Sequence, residues 1–114
     1  MKAMIDTALA HVILGLSLIV LGIPLACRLI PKNFWYGFRV GKTLATDENW
    51  FMANAYAGKW MVAWAIPIII SGIVLYCMVP DTRDKALIVS VLSWSWLLIF
   101  GLAIQCFLFL KKLP

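Results

Sequence analysis

The sequence predicts an all-α integral membrane protein: three transmembrane helices, with a long interfacial loop and helix between the first and the second. Two observations carry this. The 114 residues are 64% hydrophobic and 13% charged, with a mean hydropathy of +0.96, whereas a soluble domain is about half apolar and about a quarter charged. The chain also holds three runs free of charged residues, at 7–27, 60–79 and 86–110. Each supplies the roughly 20 residues that a helix needs to cross the hydrocarbon of a bilayer. Backbone polar groups in lipid must be satisfied within the segment, and runs of this length do so as helices. The runs take up most of the chain, which excludes a soluble globular protein. What lies outside them is too short for a second domain, so residues 1–114 are expected to form a single three-helix membrane domain.

The first span is expected over about 7–30. Residues 1–27 look superficially like a secretory or lipoprotein leader. Their apolar stretch is longer than the about 7–15 residues of a leader, and Pro24 stands where a lipobox would have leucine, so a transmembrane helix is expected instead. Ala8, Gly15 and Gly22 recur every seven residues, the spacing of a face on which helices approach closely. His11 is expected at the interface, about one turn inside the outer end of this span. Arg28 can snorkel to the headgroups.

The connection from Pro31 to about Gly58 is long, aromatic and polar. Thr46 offers a helix N-cap, and Asp47 and Glu48 suit the positive end of a helix dipole. Neither proline nor glycine interrupts residues 47–57, so this helix is expected to run on into the second span, at about 58–79. From Asp47 to Val79 it would be about 50 Å long, more than the hydrocarbon needs, which places its first turns at or beyond the headgroups. Pro67 is expected to kink it near Ala63. The short connection 80–85 makes the second span and the third, about 86–110, an antiparallel hairpin. In the third, Ser93, Leu97, Gly101 and Gln105 share a stripe, and Gln105 needs a partner inside the bundle.

The remaining composition narrows the function classes. Cys27, Cys77 and Cys106 have no CxxC spacing and no neighbouring histidine, which argues against a disulfide framework or a metal site. The net charge of +5 is spread over loops and termini, so it reads as membrane orientation rather than nucleic-acid binding. Lys2, Arg83 and Lys85 lie on the side of the N-terminus. Arg28, Lys32, Arg39, Lys42, Lys59, Lys111 and Lys112 lie on the side of the long loop and the C-terminus. The positive-inside bias therefore puts the N-terminus outside and the loop and C-terminus inside. No phosphate loop, paired histidines, nucleophile elbow or buried carboxylate pair is present. An enzyme is not expected, nor a cofactor. Transport is poorly supported, because no span holds an acidic residue deep in the lipid.

The long loop carries the sequence's individuality. Nine of the fifteen aromatic residues fall between Phe34 and Trp64, partly as an aromatic belt. The belt does not account for the polar residues among them. Asp47, Trp50, Asn54 and Gly58 are three, four and four residues apart, hence on one helical face. Asn33, Gly37 and Arg39 precede them in irregular chain, and Arg39 is expected to pair with Asp47 or Glu48. From residue chemistry, this set is either a binding site or a folded interfacial loop without a ligand.

The stretch from Pro31 to Trp60 resembles the signature loop of the SdpI-type membrane immunity proteins. The matching positions are Pro31, Asn33, Gly37, Arg39, Thr43, Leu44, Asp47, Glu48, Trp50, Asn54 and Gly58. The departures are Val40, where threonine is common, and Gly41, where proline is frequent. Longer relatives have six spans, with this module as their C-terminal half. The resemblance implies a non-catalytic protein of the bacterial inner membrane that protects against a secreted peptide toxin by binding or sequestering it. In some members it also implies recruitment of a transcriptional repressor. Asn33, Gly37, Arg39, Thr43, Asp47, Glu48, Trp50, Asn54 and Gly58 are the expected binding residues, and no metal ligands are expected. The alternatives are a lipid- or small-solute-binding membrane protein, or an accessory subunit of a larger complex. Membrane lipids are expected neighbours under each, and a homodimer through the small-residue faces fits all of them.

Overall fold

A computed structural model describes residues 2–78 and 85–114. The described residues form four helices: α1 (Lys2–Ala26), α2 (Gly41–Ala45), α3 (Asp47–Met78) and α4 (Lys85–Leu110). No strand occurs among the described residues. The stretches Asp6–Ala26, Asp47–Cys77 and Ser93–Leu110 are long and apolar enough to cross a membrane. The expected link at 80–85 lies, Lys85 apart, outside the described residues.

α3 is a single helix of 32 residues that runs through Pro67, and the long axis of the protein measures 52 Å. Its start follows from local chemistry. The Thr46 hydroxyl accepts the Asn49 amide at 3.0 Å, and Asp47 and Glu48 fill the first turn, so an oxygen cap and two carboxylates meet the positive end of the helix. α1 ends differently. Arg28 is left-handed, with φ 58°. Its amide bonds the Leu25 carbonyl at 3.1 Å, and the Leu29 amide bonds the Pro24 carbonyl at 3.0 Å. This is a Schellman stop with arginine where glycine is usual, and it turns the chain sharply into the loop.

α1 and α3 pack antiparallel along a line of small residues. A Cβ on Gly22 would lie 2.8 Å from the Gly58 carbonyl oxygen, and one on Gly58 would collide with the Gly22 carbonyl and the Ala26 amide. Backbone faces backbone at this crossing, so both positions require glycine. Gly15 sits against Ala65 and Ile69, and Gly72 against Ala8 and His11, which continues the same seam toward the far end. The seven-residue stripe on α1 is thus occupied by α3 of the same chain.

α4 is antiparallel to α3, and its C-terminal end packs closely on the loop end of α3. Leu110 and Leu113 form a buried cluster with Ala53. The rings of Tyr56 and Phe109 stack at 4.0 Å, and Phe38 meets Phe107 edge-on at 5.3 Å. Trp64 Nε1 donates to Gln105 Oε1 at 2.9 Å, which supplies the partner that Gln105 requires in a bundle. Outward-facing Leu9, Val20, Leu97, Phe100 and Ile104 are exposed. In a membrane that surface is covered by lipid.

His11 faces the bundle and is 3% exposed. Its Nδ1 lies 2.7 Å from the Thr7 carbonyl, and its Nε2 meets Ser95 Oγ of α4.

Candidate functional site

Gly58 lies beside Ala26, the last residue of α1, so the turns of α3 from Asp47 to Ala57 project beyond the α1/α3 crossing. The chain from Arg28 to Thr46 wraps this projection, and the C-terminal turn of α4 closes it from the other side. Sixteen residues apart in sequence, Phe38 and Asn54 make the central joint. The Asn54 side chain is buried. Its Oδ1 accepts the Phe38 amide at 2.6 Å, and its Nδ2 donates to the Trp50 carbonyl at 3.0 Å and the Phe38 carbonyl at 3.4 Å. A side-chain amide here completes a strand-like pairing for a segment that has no strand partner, which a buried backbone group requires.

The neighbouring signature residues have similar duties. Trp50 is fully buried, and its Nε1 donates to the Ile30 carbonyl at 2.8 Å. Gly37 has φ 118°, a conformation that side chains rarely tolerate. A Cβ there would lie 2.7 Å from Asn54 Oδ1. Thr43 is fully buried in α2. Its Oγ1 accepts the Val40 amide at 3.0 Å, and its proton lies between the Phe38 carbonyl at 2.9 Å and the Val40 carbonyl at 3.0 Å. Asn33 Oδ1 accepts the amides of Trp35 and Tyr36 at 2.9 and 2.7 Å, an Asx turn that folds the aromatic tip.

The expected pairing of Arg39 with Asp47 or Glu48 is replaced by another. Lys32 Nζ stands 3.6 Å from Asp47 Oδ1 and 3.3 Å from the Leu44 carbonyl, while Arg39 Nε donates to the Asn33 carbonyl at 3.0 Å. The chain turns at Asn33, which folds Arg39 back over the turn and leaves Lys32 beside the start of α3. Asp47, Glu48 and Arg39 are exposed. The structure therefore brings Asn33, Gly37, Thr43, Trp50 and Asn54 together as a loop framework. It leaves Arg39, Asp47 and Glu48 exposed and puts Gly58 in the helix crossing.

Sequence reasoning passed over several residues that shape the same region. Asn49 is buried, and its Nδ2 donates to the carbonyls of Lys42 and Pro114 at 3.1 and 3.2 Å. The short helix α2 also lies in this region. The Tyr36 hydroxyl donates to the Leu21 carbonyl of α1, and burial pushes its phenol pKa up. Phe34 and Trp35 beside it are 89% and 84% exposed. Nothing in a linear pattern separates Tyr36, which folds inward, from these two neighbours.

Under the framework lies an apolar cleft of about 470 Å³ between α1, α3 and α4. Leu21 and Leu25 supply one wall, Met61 the floor, and Ala103 and Phe107 the other wall, with Phe38 of the loop across the end. The described residues contain no cluster of histidine, cysteine or carboxylate side chains able to hold a metal ion. The site thus offers shape and apolar surface, with fixed polar groups already engaged by the backbone.

No curated protein and no solved structure matches the chain. One family model does, over residues 29–110, which runs from the residue after the Arg28 stop to the end of α4 and takes in the whole loop framework. The chain is a member of the SdpI/YfhL protein family.

Proposed function

We propose that this protein protects a bacterial inner membrane from a secreted peptide toxin by holding the peptide in the cleft beneath the signature loop. The observation that supports this reading is the cleft itself: about 470 Å³, almost wholly apolar, at the level where the loop meets the bundle. An amphipathic peptide already partitioned into lipid would lay apolar side chains against Leu21, Met61 and Phe107. Its polar groups would remain toward the loop end, where Arg39, Asp47 and Glu48 are exposed. Sequestration of this kind needs no reaction, in keeping with a non-enzymatic family. The count of lysine and arginine supports a cytoplasmic loop, in which case the peptide would be met after insertion. The loop end would also be the face available to a repressor.

The test is a killing assay on sensitive bacteria that carry wild type, Ala103→Trp, Arg39→Ala or an empty vector, with membrane levels matched by blot. Ala103 is exposed on the cleft wall, so tryptophan there fills the cleft without invading the core. Survival with wild type and loss of protection with Ala103→Trp is the expected result. Full protection by Ala103→Trp would sink the cleft as the binding site. Death of all strains would remove that toxin as the ligand and turn attention to a lipid-binding or accessory role.

A further inference from the structure

The loop framework gives Tyr36 an inward place but leaves the two rings beside it without a role. Phe34 is 89% exposed and Trp35 84%, more than any other large apolar side chain among the described residues. A turn that had only to join α1 to α2 would carry small polar residues at its tip. This one carries two aromatic rings and holds them out.

The tip is folded back to the level of the spans. The Tyr36 hydroxyl donates to the Leu21 carbonyl, five residues before the end of α1 at Ala26, hence about 7 Å back along that helix. Trp35 lies against Tyr36 with ring centroids 5.9 Å apart. Across the Asn33 turn the chain reaches the opposite way, since Lys32 Nζ stands beside Asp47, beyond the Gly58 crossing. The flank of α1 at the level of the tip is bare, with Val20 67% and Leu21 47% exposed. The turn is also prepared for a dry surrounding. Asn33 Oδ1 accepts the Trp35 and Tyr36 amides, its Nδ2 donates to the Pro31 carbonyl, and Arg39 Nε donates to the Asn33 carbonyl. A chain that approaches hydrocarbon needs its backbone groups paired in this way.

We propose that Phe34 and Trp35 are a bilayer anchor whose partner is the lipid of the leaflet at the loop end. The backbone of the turn lies at the boundary of headgroups and acyl chains, and the two rings enter the outer part of the acyl region beside α1. Lipid there takes from water the apolar area that the protein itself leaves uncovered, and the indole N–H of Trp35 suits a ring with one wet edge. The anchor bears on the cleft as well. The next three residues, Tyr36, Gly37 and Phe38, belong to its lining, so lipid held at the tip fixes that end of the cleft against the membrane. None of this depends on what the cleft binds.

The test uses the full chain in lipid nanodiscs, with Cys27 and Cys77 replaced by serine and Cys106 by alanine. A nitroxide goes on Phe34→Cys, on Val20→Cys as the lipid reference, or on Glu48→Cys as the water reference, all three exposed positions. Power saturation then compares access by oxygen, which concentrates in hydrocarbon, with access by a nickel chelate, which stays in water. The ratio at Phe34→Cys should lie nearer to that of Val20→Cys. A ratio nearer to that of Glu48→Cys overturns the proposal, and so does shielding from both reagents, which would mean that protein covers the tip. A second measurement leaves the cysteines in place. In Phe34→Ser, which removes a ring that the fold does not bury, peptides covering residues 34–40 should exchange their amide hydrogens about 10-fold faster in nanodiscs. Exchange equal to wild type would show that the ring holds nothing, and overturns the anchor.

Discussion

Replacing Asn54 by alanine should release the loop while leaving the bundle intact. The side chain is 1% exposed and holds the Phe38 amide at 2.6 Å and the Phe38 carbonyl at 3.4 Å. With alanine, the Phe38 amide keeps its place against α3 only if it goes unpaired, and a buried unpaired donor costs about 1–3 kcal/mol. The loop avoids that cost by opening to water, so the open population should rise by about 5- to 150-fold. Amide hydrogen exchange read by mass spectrometry measures this population directly when reclosing is fast. Peptides covering residues 33–46 should exchange faster by that factor, while those from the α1/α3 seam, around Gly15 and Ala65, should be unchanged. Asn54→Asp, which keeps an acceptor for Phe38, should fall between wild type and alanine. Loop exchange equal to wild type, or acceleration spread evenly through α1 and α3, would refute the account of Asn54 as a joint rather than a general core residue.

Four further outcomes test other parts of the architecture. Gly58→Ala should lower the unfolding midpoint in mixed micelles by an amount equivalent to about 1–3 kcal/mol, because the new Cβ meets the backbone of Gly22 and Ala26. Gly41→Ala, with nothing within 4 Å of its Cβ, should leave the midpoint unchanged or slightly raised. Gln105→Leu should cost about 1 kcal/mol in the same measurement by stripping the Trp64 indole of its acceptor. Tyr36 is held neutral by burial, so its docking on α1 persists through the ordinary tyrosine pKa of about 10 and is lost only as pH rises past its raised value. Phenolate absorbance should lose a component that titrates above about 10 in Tyr36→Phe, and a titration curve unchanged by that substitution would contradict the burial.

How much of this was legible in the sequence depends on the range of the interaction. The three spans follow from uncharged runs, and the start of α3 follows from Thr46, Asp47 and Glu48, because caps and hydropathy act within a few residues. The glycine seam was visible as the repeat of Ala8, Gly15 and Gly22, since close helix packing imposes a period. The partner of that seam was not, because a stripe does not say whether it meets another helix of the chain or a second copy. The contact of His11 was hidden for the same reason: its partner Ser95 is 84 residues away. α2 escaped notice because five residues from Gly41 to Ala45 carry no period. The ion pair went to Lys32 rather than Arg39 because the turn at Asn33, set by three side-chain-to-backbone bonds, decides which cation faces Asp47.

The polar signature residues carry a more general lesson about reading such loops. Asparagine and threonine suit a ligand site for the same reason they suit a loop joint: each presents a donor and an acceptor on a short arm. In this protein the backbone claims both functions of Asn54, Asn33 and Thr43. Substitutions there should act on any ligand at one remove, through loss of the loop's shape, and so impair binding and local exchange together. Ala103 and Met61 line the cleft and make no such bonds, so substitutions there should alter binding while exchange in the loop stays as in wild type. That split, rather than the size of any one effect, separates a ligand held by the apolar walls from one held by the polar set. It follows from where the hydrogen bonds already go.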